Sequence, residues 1–325
     1  MTPPSRSGAF RAFVSAHRDA IEATLDDLLP AVDVAPQRLH EAMRYAMFPG
    51  GKRLRPMLTL IGAAATGGRT EDALRPAAAL ECLHTYSLVH DDLPCMDDDD
   101  LRRGRATCHK VYGEPLALLA GDALLTLAFA GCAAGGGPAV AALASAAGSV
   151  GMVGGQVEDL AAEGSLSGSG ADPGDASPEV SMAKLEWIHD HKTGALITAA
   201  LVVGAHAAAG PGGVPEKVLE ILSKYGDTVG RAFQIADDCL DVTGSSEELG
   251  KNPGADVALG KLTWPALLGL EQSQAAAREL AEQAAALAVS LSQAVAEWRT
   301  VEVSCLDEMT RLLQDVAFYA VERRT

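Results

Sequence analysis

The sequence predicts an all-α protein, a single large helical bundle, and three observations carry that prediction. Apolar residues recur at three- and four-residue spacing over most of the chain, while period-two runs bounded by turn residues are hard to find. Hydrophobic residues make up 48% of the 325 positions but aromatics only 4%, so the core is built from Ala, Leu and Val. Small aliphatic side chains suit closely packed helices better than sandwiches, which favour β-branched and aromatic residues. No repeat of fixed period and no long linker divides the chain, so residues 1–325 read as one domain.

In order, helical spacing marks 21–29, 38–48, 55–65 and 75–93, with residues up to about 15 expected to be flexible. Pro49-Gly50-Gly51 separates the second helix from the third, and Pro94 ends the fourth. Helices at 114–134 and 139–160 follow, parted by Gly135-Gly136-Gly137-Pro138. Residues 163–178, rich in Ser, Gly, Asp and Pro, read as a mobile surface loop. Helices at 181–209, 218–242, 263–291 and 303–322 complete the set. The pattern is clearest from Leu222 through Tyr225, Val229, Ala232 and Ala236 to Leu240, one apolar face of a helix. A polar stripe of Asp227, Arg231, Gln234, Asp238 and Asp241 runs beside it. That stripe is either a solvated face or a polar site set among apolar neighbours.

Charge narrows the function. With 26 Lys and Arg against 43 Asp and Glu the net charge is −17, which argues against nucleic acid or an anionic membrane surface as partner. The six cysteines form no CxxC pair and suit a reduced cytoplasmic setting. Cys108-His109 lacks the second ligand pair that a structural zinc site needs. The first twenty residues carry Arg6, Arg11, Arg18 and Asp19 and no apolar core, so no signal peptide is expected. From residue 123 to 157 there is no charge, a length sufficient to span a bilayer. Its Ala- and Gly-rich halves, broken at Gly135 to Pro138, predict a buried helical hairpin and no membrane span.

Two aspartate clusters stand out in this chain: Asp91-Asp92 with Asp97-Asp98-Asp99-Asp100, and Asp237-Asp238-Cys239-Leu240-Asp241. Carboxylates gathered beside apolar helices repel one another, and burying them needs a neutralising cation. Asp237 and Asp241 are one helical turn apart, while Pro94 lets Asp97 swing back toward Asp91. Oxygen-only ligands favour Mg²⁺, above all where phosphates complete the shell. For Asp97 to Asp100 alone, a solvated acidic loop is an equal alternative. Cations lie nearby in bursts. Gly50-Gly51-Lys52-Arg53-Leu54-Arg55-Pro56 sets three behind a flexible glycine pair, and Leu101-Arg102-Arg103-Gly104-Arg105 follows the first acidic run. Neither is a P-loop. Surface pairing of Arg102 and Arg103 with the aspartates is one explanation. A polyanion held by Arg and Lys and bridged by metal is the other.

These blocks, with His84-Thr85-Tyr86-Ser87-Leu88-Val89-His90 before Asp91, His191-Lys192-Thr193-Gly194, and Phe233-Gln234-Ile235-Ala236 before Asp237, resemble the signatures of trans-isoprenyl diphosphate synthases, the polyprenyl synthetases. Bacterial farnesyl diphosphate synthases are nearest and geranylgeranyl diphosphate synthases next. The likeness runs from about residue 38 to the C-terminus and includes Leu249-Gly250-Lys251 and Gly260-Lys261-Leu262-Thr263-Trp264-Pro265. Trp264 stands where the family usually has Tyr or Phe, and the 163–178 loop is longer than expected.

The resemblance implies a helical bundle of the isoprenoid synthase type around a central cavity, working as a homodimer. It implies that Asp91, Asp92 and Asp97 hold two Mg²⁺ ions and that Asp237, with Asp238 and Asp241, holds a third. Arg102, Lys192, Gln234 and Lys251 would contact an allylic diphosphate, with Lys261 beside it. Lys52, Arg55, His84 and Arg103 would hold isopentenyl diphosphate. Catalytic roles fall to Asp91, Asp92, Asp97, Lys192, Thr193, Gln234 and Asp237. The implied reaction is head-to-tail condensation to farnesyl diphosphate, or to the geranylgeranyl product by the same chemistry. Tyr86 and Ser87, just ahead of Asp91, would set chain length. Rival readings are weaker. An HD-type phosphohydrolase needs several His ligands, a terpene cyclase rarely carries the Gly-Gly-Lys-Arg block, and a non-catalytic subunit would be expected to lose one aspartate motif.

Overall fold

Helix after helix follows from the spacing of apolar residues, and the computed structural model describes residues 8–163, 178–243 and 262–322. The chain enters through α1 (Gly8–Leu28), α2 (Gln37–Met47) and α3 (Leu54–Ala65), then reaches α4 (Leu74–Asp91). A two-residue antiparallel ladder, β1 (Leu101–Arg102) with β2 (Arg105–Ala106), and the short α5 (Cys108–Tyr112) come next. Then follow α6 (Glu114–Cys132), α7 (Gly136–Ala147), α8 (Met152–Ala162) and α9 (Pro178–Ile188). A π-helical turn at His189–Gly194 leads into α10 (Ala195–Ala207) and the long α11 (Glu216–Thr243). The chain finishes with α12 (Trp264–Leu268), α13 (Leu270–Trp298) and α14 (Val303–Glu322).

Helices α3, α4 and α10 form the centre and are buried on nearly every side. Small residues let them approach. A side chain at Gly62 on α3 would overlap the backbone of Leu201 on α10, and one at Gly204 on α10 would overlap Thr59. Leu80 and Leu83 on α4 are wholly buried. Truncating either to Ala would cost about 2–5 kcal/mol.

The structure departs from the sequence expectations in several places. Residues 8–15 are helical rather than flexible, because Phe10 is buried against Tyr319 of α14 at 4.7 Å between ring centroids. Asp315 of α14 caps that helix start, accepting from the Ala9 amide at 2.7 Å. The helix expected over 139–160 breaks into α7 and α8, since a turn closes from Gly151 N–H to Gly148 C=O. The 181–209 helix is interrupted by the π turn. The helix expected at 263–291 is divided at Gly269, whose φ of +83° ends α12, and then runs on to Trp298. The uncharged stretch from 123 to 157 is buried along one face, at Leu124, Ala128, Cys132, Ala139, Leu143 and Ala147. Length and composition from Glu114 to Ala162 would suffice to cross a membrane, and only 39% of its most apolar window is buried. Val150 (77% exposed) lies on the surface of the uncharged stretch, and Leu119 (54%) just ahead of it. The 163–178 loop falls, but for its two ends, outside the described residues.

Candidate active site

The cations nearest the glycine pair do not act alike. Arg53 adopts a left-handed φ of 51° and turns inward, 2% exposed. Its guanidinium donates to Glu81 at 2.8 Å, to Glu22 at 2.8 Å and to the Met47 carbonyl at 3.0 Å. That makes it an internal brace between α1 and α4, which corrects the picture of three equivalent cations behind the glycines. Lys52 beside it is exposed, and Arg55 lines a cavity.

Arg103 reaches the same place from the ladder between β1 and β2. Positive φ at Arg103 and Gly104, 53° and 74°, makes the tight mirror-image turn a two-residue hairpin needs. The Arg103 guanidinium donates to the Gly50 carbonyl and lies over Gly51, where any side chain would overlap it. His84 on α4 completes the group. Burial, then Arg55, Arg103, Arg102 and Arg53, hold its pKa well below the ordinary 6.5, so it is neutral at pH 7. Burial also lowers the Arg55 pKa, opposed by Glu81 and reinforced by Arg103. Cations crowded this way around a neutral imidazole form a seat for an anion.

The first aspartate cluster sits at the end of α4. Asp97 does turn back, its amide donating to the Asp91 carbonyl at 2.8 Å. Burial pushes the Asp91 carboxyl up to about 6, while Lys192 and Arg102 pull it down and Asp97 and Asp92 push it further up. Asp92, expected among the metal ligands, is buried and accepts from Arg102 Nε at 2.6 Å. The structure thus employs it to hold Arg102, which also reaches Asp99 at 3.3 Å. Asp97 to Asp100 are exposed.

Across the cavity the π turn presents Lys192 and Thr193. Lys192 Nζ is 2.5 Å from Asp159 on α8. The turn lies hard against α8, where a side chain at Gly155 would overlap the Lys192 backbone. On its other side it touches α11: Arg231 pairs with Asp190, and His189 Nε2 lies 3.7 Å from Asp238. One turn of chain therefore stands between the two aspartate clusters.

The second cluster closes α11, and its members divide by face. Asp237 is exposed, whereas Asp238 and Asp241 are buried. Asp238 accepts from the Trp264 amide at 3.0 Å and from Gln234 Nε2 at 3.2 Å. Asp238, expected among the metal ligands, thus spends one oxygen tying α12 to α11 through the Trp264 amide and the other within α11 on Gln234. The spacing of Asp237 and Asp241 does not give two equivalent ligands, because Asp241 is turned into the fold. Lys251 and Lys261 lie outside the described residues.

A cavity of about 370 Å³ opens between α4, α8 and the π turn, and no member of the second cluster lines it. Arg55, His84, Asp91, Lys192 and Thr193 border it together with Tyr86, Ser87, Met152, Val153 and Val157. Cations and carboxylate thus share one chamber with an apolar wall.

The polyprenyl synthetase family model matches residues 36–298. The chain belongs to the polyprenyl synthetase family. This synthetase is 49% identical over 253 residues to a farnesyl diphosphate synthase of Escherichia coli, covering 75% of this chain and 79% of that one. It is 44% identical over 283 residues to a chloroplastic geranylgeranyl pyrophosphate synthase of Capsicum annuum, covering 85% and 72%. The solved apo structure of an FPP/GFPP synthase from Zymomonas mobilis superposes with a TM-score of 0.75 at 36% identity, covering 96% of this chain and 98% of that one. The synthetase is a prenyltransferase, and its all-α architecture is that of the isoprenyl synthases.

The family implies Mg²⁺, and the donor set fits it. Asp91 borders the cavity with Asp97 turned back beside it, and carboxylate oxygen donors suit a hard cation. Among the described residues no three His, Cys, Asp or Glu side chains converge as a closed site. A cation here would draw the rest of its shell from substrate phosphates and water. Two residues of the synthetase escaped sequence reasoning: Asp159, the partner of Lys192, and Gln156, whose buried Nε2 has no hydrogen-bond acceptor at the cavity edge. The signal was the return of polar residues at three-residue spacing where the long uncharged stretch ends.

Proposed function

We propose that this synthetase condenses isopentenyl diphosphate with dimethylallyl or geranyl diphosphate, head to tail, to release farnesyl diphosphate and diphosphate. The observation that carries the reading is the single cavity with Arg55, His84 and Lys192 beside Asp91 and an apolar wall bordered by Tyr86. Charged diphosphates belong at the first set of groups, and a hydrocarbon tail at the second.

Arg55, His84 and Arg103, with Lys52 at the same turn, hold the isopentenyl diphosphate. Lys192, Arg102 and Gln234 would contact the allylic partner, a role the family resemblance extends to Lys251 and Lys261. Asp91, Asp97 and Asp237 would hold Mg²⁺, whose chemistry when bound would be to neutralise negative charge on the leaving diphosphate. Lys192 supplies further positive charge at that end, placed by its pair with Asp159. The allylic carbocation is exposed to the Thr193 hydroxyl and to backbone dipoles of the π turn. The isopentenyl double bond attacks it, and the departing diphosphate takes the proton. No side chain forms a covalent bond, and burial pushes the Cys82, Cys108 and Cys132 thiols up to about 12, well away from nucleophilic thiolates.

The geranylgeranyl product is the second reading, favoured by the likeness to the Capsicum enzyme. The buried Tyr86 ring at the cavity favours the shorter one. Incubating the protein with isopentenyl and geranyl diphosphates, with and without Mg²⁺, and chromatographing the dephosphorylated products decides between them. A Mg²⁺-dependent fifteen-carbon main product is expected. A twenty-carbon main product would overturn the chain-length reading, and no extension at all would overturn the condensation.

A further inference from the structure

Tyr86 and His90 stand one turn apart on α4, and both border the cavity. Their rings meet edge to face, 5.5 Å between centroids with an interplanar angle of 90°. An edge-to-face contact of this kind resists rotation of either ring. His90 in turn is anchored to α6. Its Nε2 lies 3.0 Å from the Leu118 carbonyl, so Nε2–H is the donor, and the Asp122 carboxylate stands 3.9 Å from the same nitrogen. The imidazole has room in that seat because residue 121 is glycine. A Cβ there would overlap Nε2 and Cδ2 of His90. Gly121 itself is buried, so the ring covers it.

We propose that the contact of His90 with Gly121 sets product chain length, by holding the Tyr86 ring in place as the floor of the tail pocket. His90 and Gly121 are positioning residues, and they act through Tyr86. Without the imidazole, Tyr86 loses the partner that fixes its rotamer and turns into the vacated space, so the pocket deepens. With a methyl group at 121 the imidazole must leave its seat and give up the Leu118 hydrogen bond. Helix α6 blocks retreat, so the ring moves toward Tyr86 and the cavity, and the pocket becomes shallower. The two changes therefore push product length in opposite directions. A merely structural role for either residue would lower activity or stability in both variants and leave the length distribution where it was.

The inference rests on the reading of Tyr86 as the pocket floor, and Tyr86→Ala tests that reading by itself. The decisive experiment measures the ratio of twenty- to fifteen-carbon product, at equal conversion, for wild type, Tyr86→Ala, His90→Ala, Gly121→Ala and the double variant His90→Ala/Gly121→Ala. An aromatic edge contact of ordinary strength changes such a partition by about three- to tenfold. His90→Ala is expected to raise the ratio by that factor, and Gly121→Ala to lower it and to favour ten-carbon product. In the double variant the methyl group has no ring to displace, so the Gly121→Ala effect should vanish. If Tyr86→Ala lengthens the product while His90→Ala and Gly121→Ala leave the ratio unchanged, the positioning role is wrong and the floor stands. If Tyr86→Ala leaves the product unchanged, the floor falls and the positioning role with it. Should Gly121→Ala fail to fold, His90→Ala and the double variant still decide, because both are expected to shift upward together.

Discussion

Asp237 and Asp238 are neighbours in the chain, yet their carboxylates face different environments. Asp237 is exposed at the end of α11, while Asp238 is buried against the Trp264 amide and the Gln234 side chain. Removing each should therefore fail differently. Asp237→Ala is expected to lower kcat by about 10²- to 10⁴-fold, by analogy with other lost electrostatic stabilisers, with urea unfolding unchanged. Asp238→Ala leaves a buried amide without its acceptor, at a cost of about 1–3 kcal/mol, and should lower the urea midpoint. Steady-state kinetics and denaturation curves on the pair would separate the roles. Equal loss of stability in both, with equal kinetics, would reverse the division. Two adjacent aspartates look alike in a sequence because the difference lies in which side of α11 meets α12.

The π turn between α9 and α10 is the element on which the site depends. Continuous α-helix from 181 to 209 is what the apolar spacing suggests, and it would present a different face at Lys192. The turn instead packs on α8 at Gly155 and on α11 through Asp190 and His189. Gly155→Ala forces α8 and the turn apart, because the added Cβ would meet backbone rather than a flexible side chain. The expected result is a kcat lower by about tenfold or more, in line with the cost of small misplacements at a reacting centre. The KM for isopentenyl diphosphate, whose proposed seat is Arg55, His84 and Arg103 on other elements, should change little. Rate and KM moving together for both substrates would show that the turn does not act locally. Neither the π turn nor the Asp159–Lys192 pair was legible in the sequence, since both depend on residues 33 positions apart meeting across a helix crossing.

At the scale of the whole molecule, the apolar surface along α6 and just before α8 is out of proportion to an isolated acidic chain. Leu118, Leu119 and Val150 are exposed within a stretch apolar enough to cross a bilayer by composition, whereas Val153 and Val157 border the cavity. The homodimer that the family resemblance implies is the proposed cover for that surface, because a symmetric dimer buries the same apolar residues twice. Sedimentation of the wild type at micromolar concentration should give a dimer, and Leu118→Asp/Leu119→Asp a folded monomer by circular dichroism. A monomeric wild type would remove the proposal.

Fold class, helix order, the cation and carboxylate clusters and their likeness to the prenyl synthetases were all legible in the sequence by itself. These properties are local, being periodicity, composition and short spacings, and a chain carries them before it folds. Only the tertiary structure decided which members of each cluster serve the cavity. Arg53 turns inward to Glu22 and Glu81, Asp92 holds Arg102, and Asp238 ties α12 to α11. The reason is physical. A charged side chain takes its role from the partner it meets across the fold, and burial raises the cost of leaving it without one.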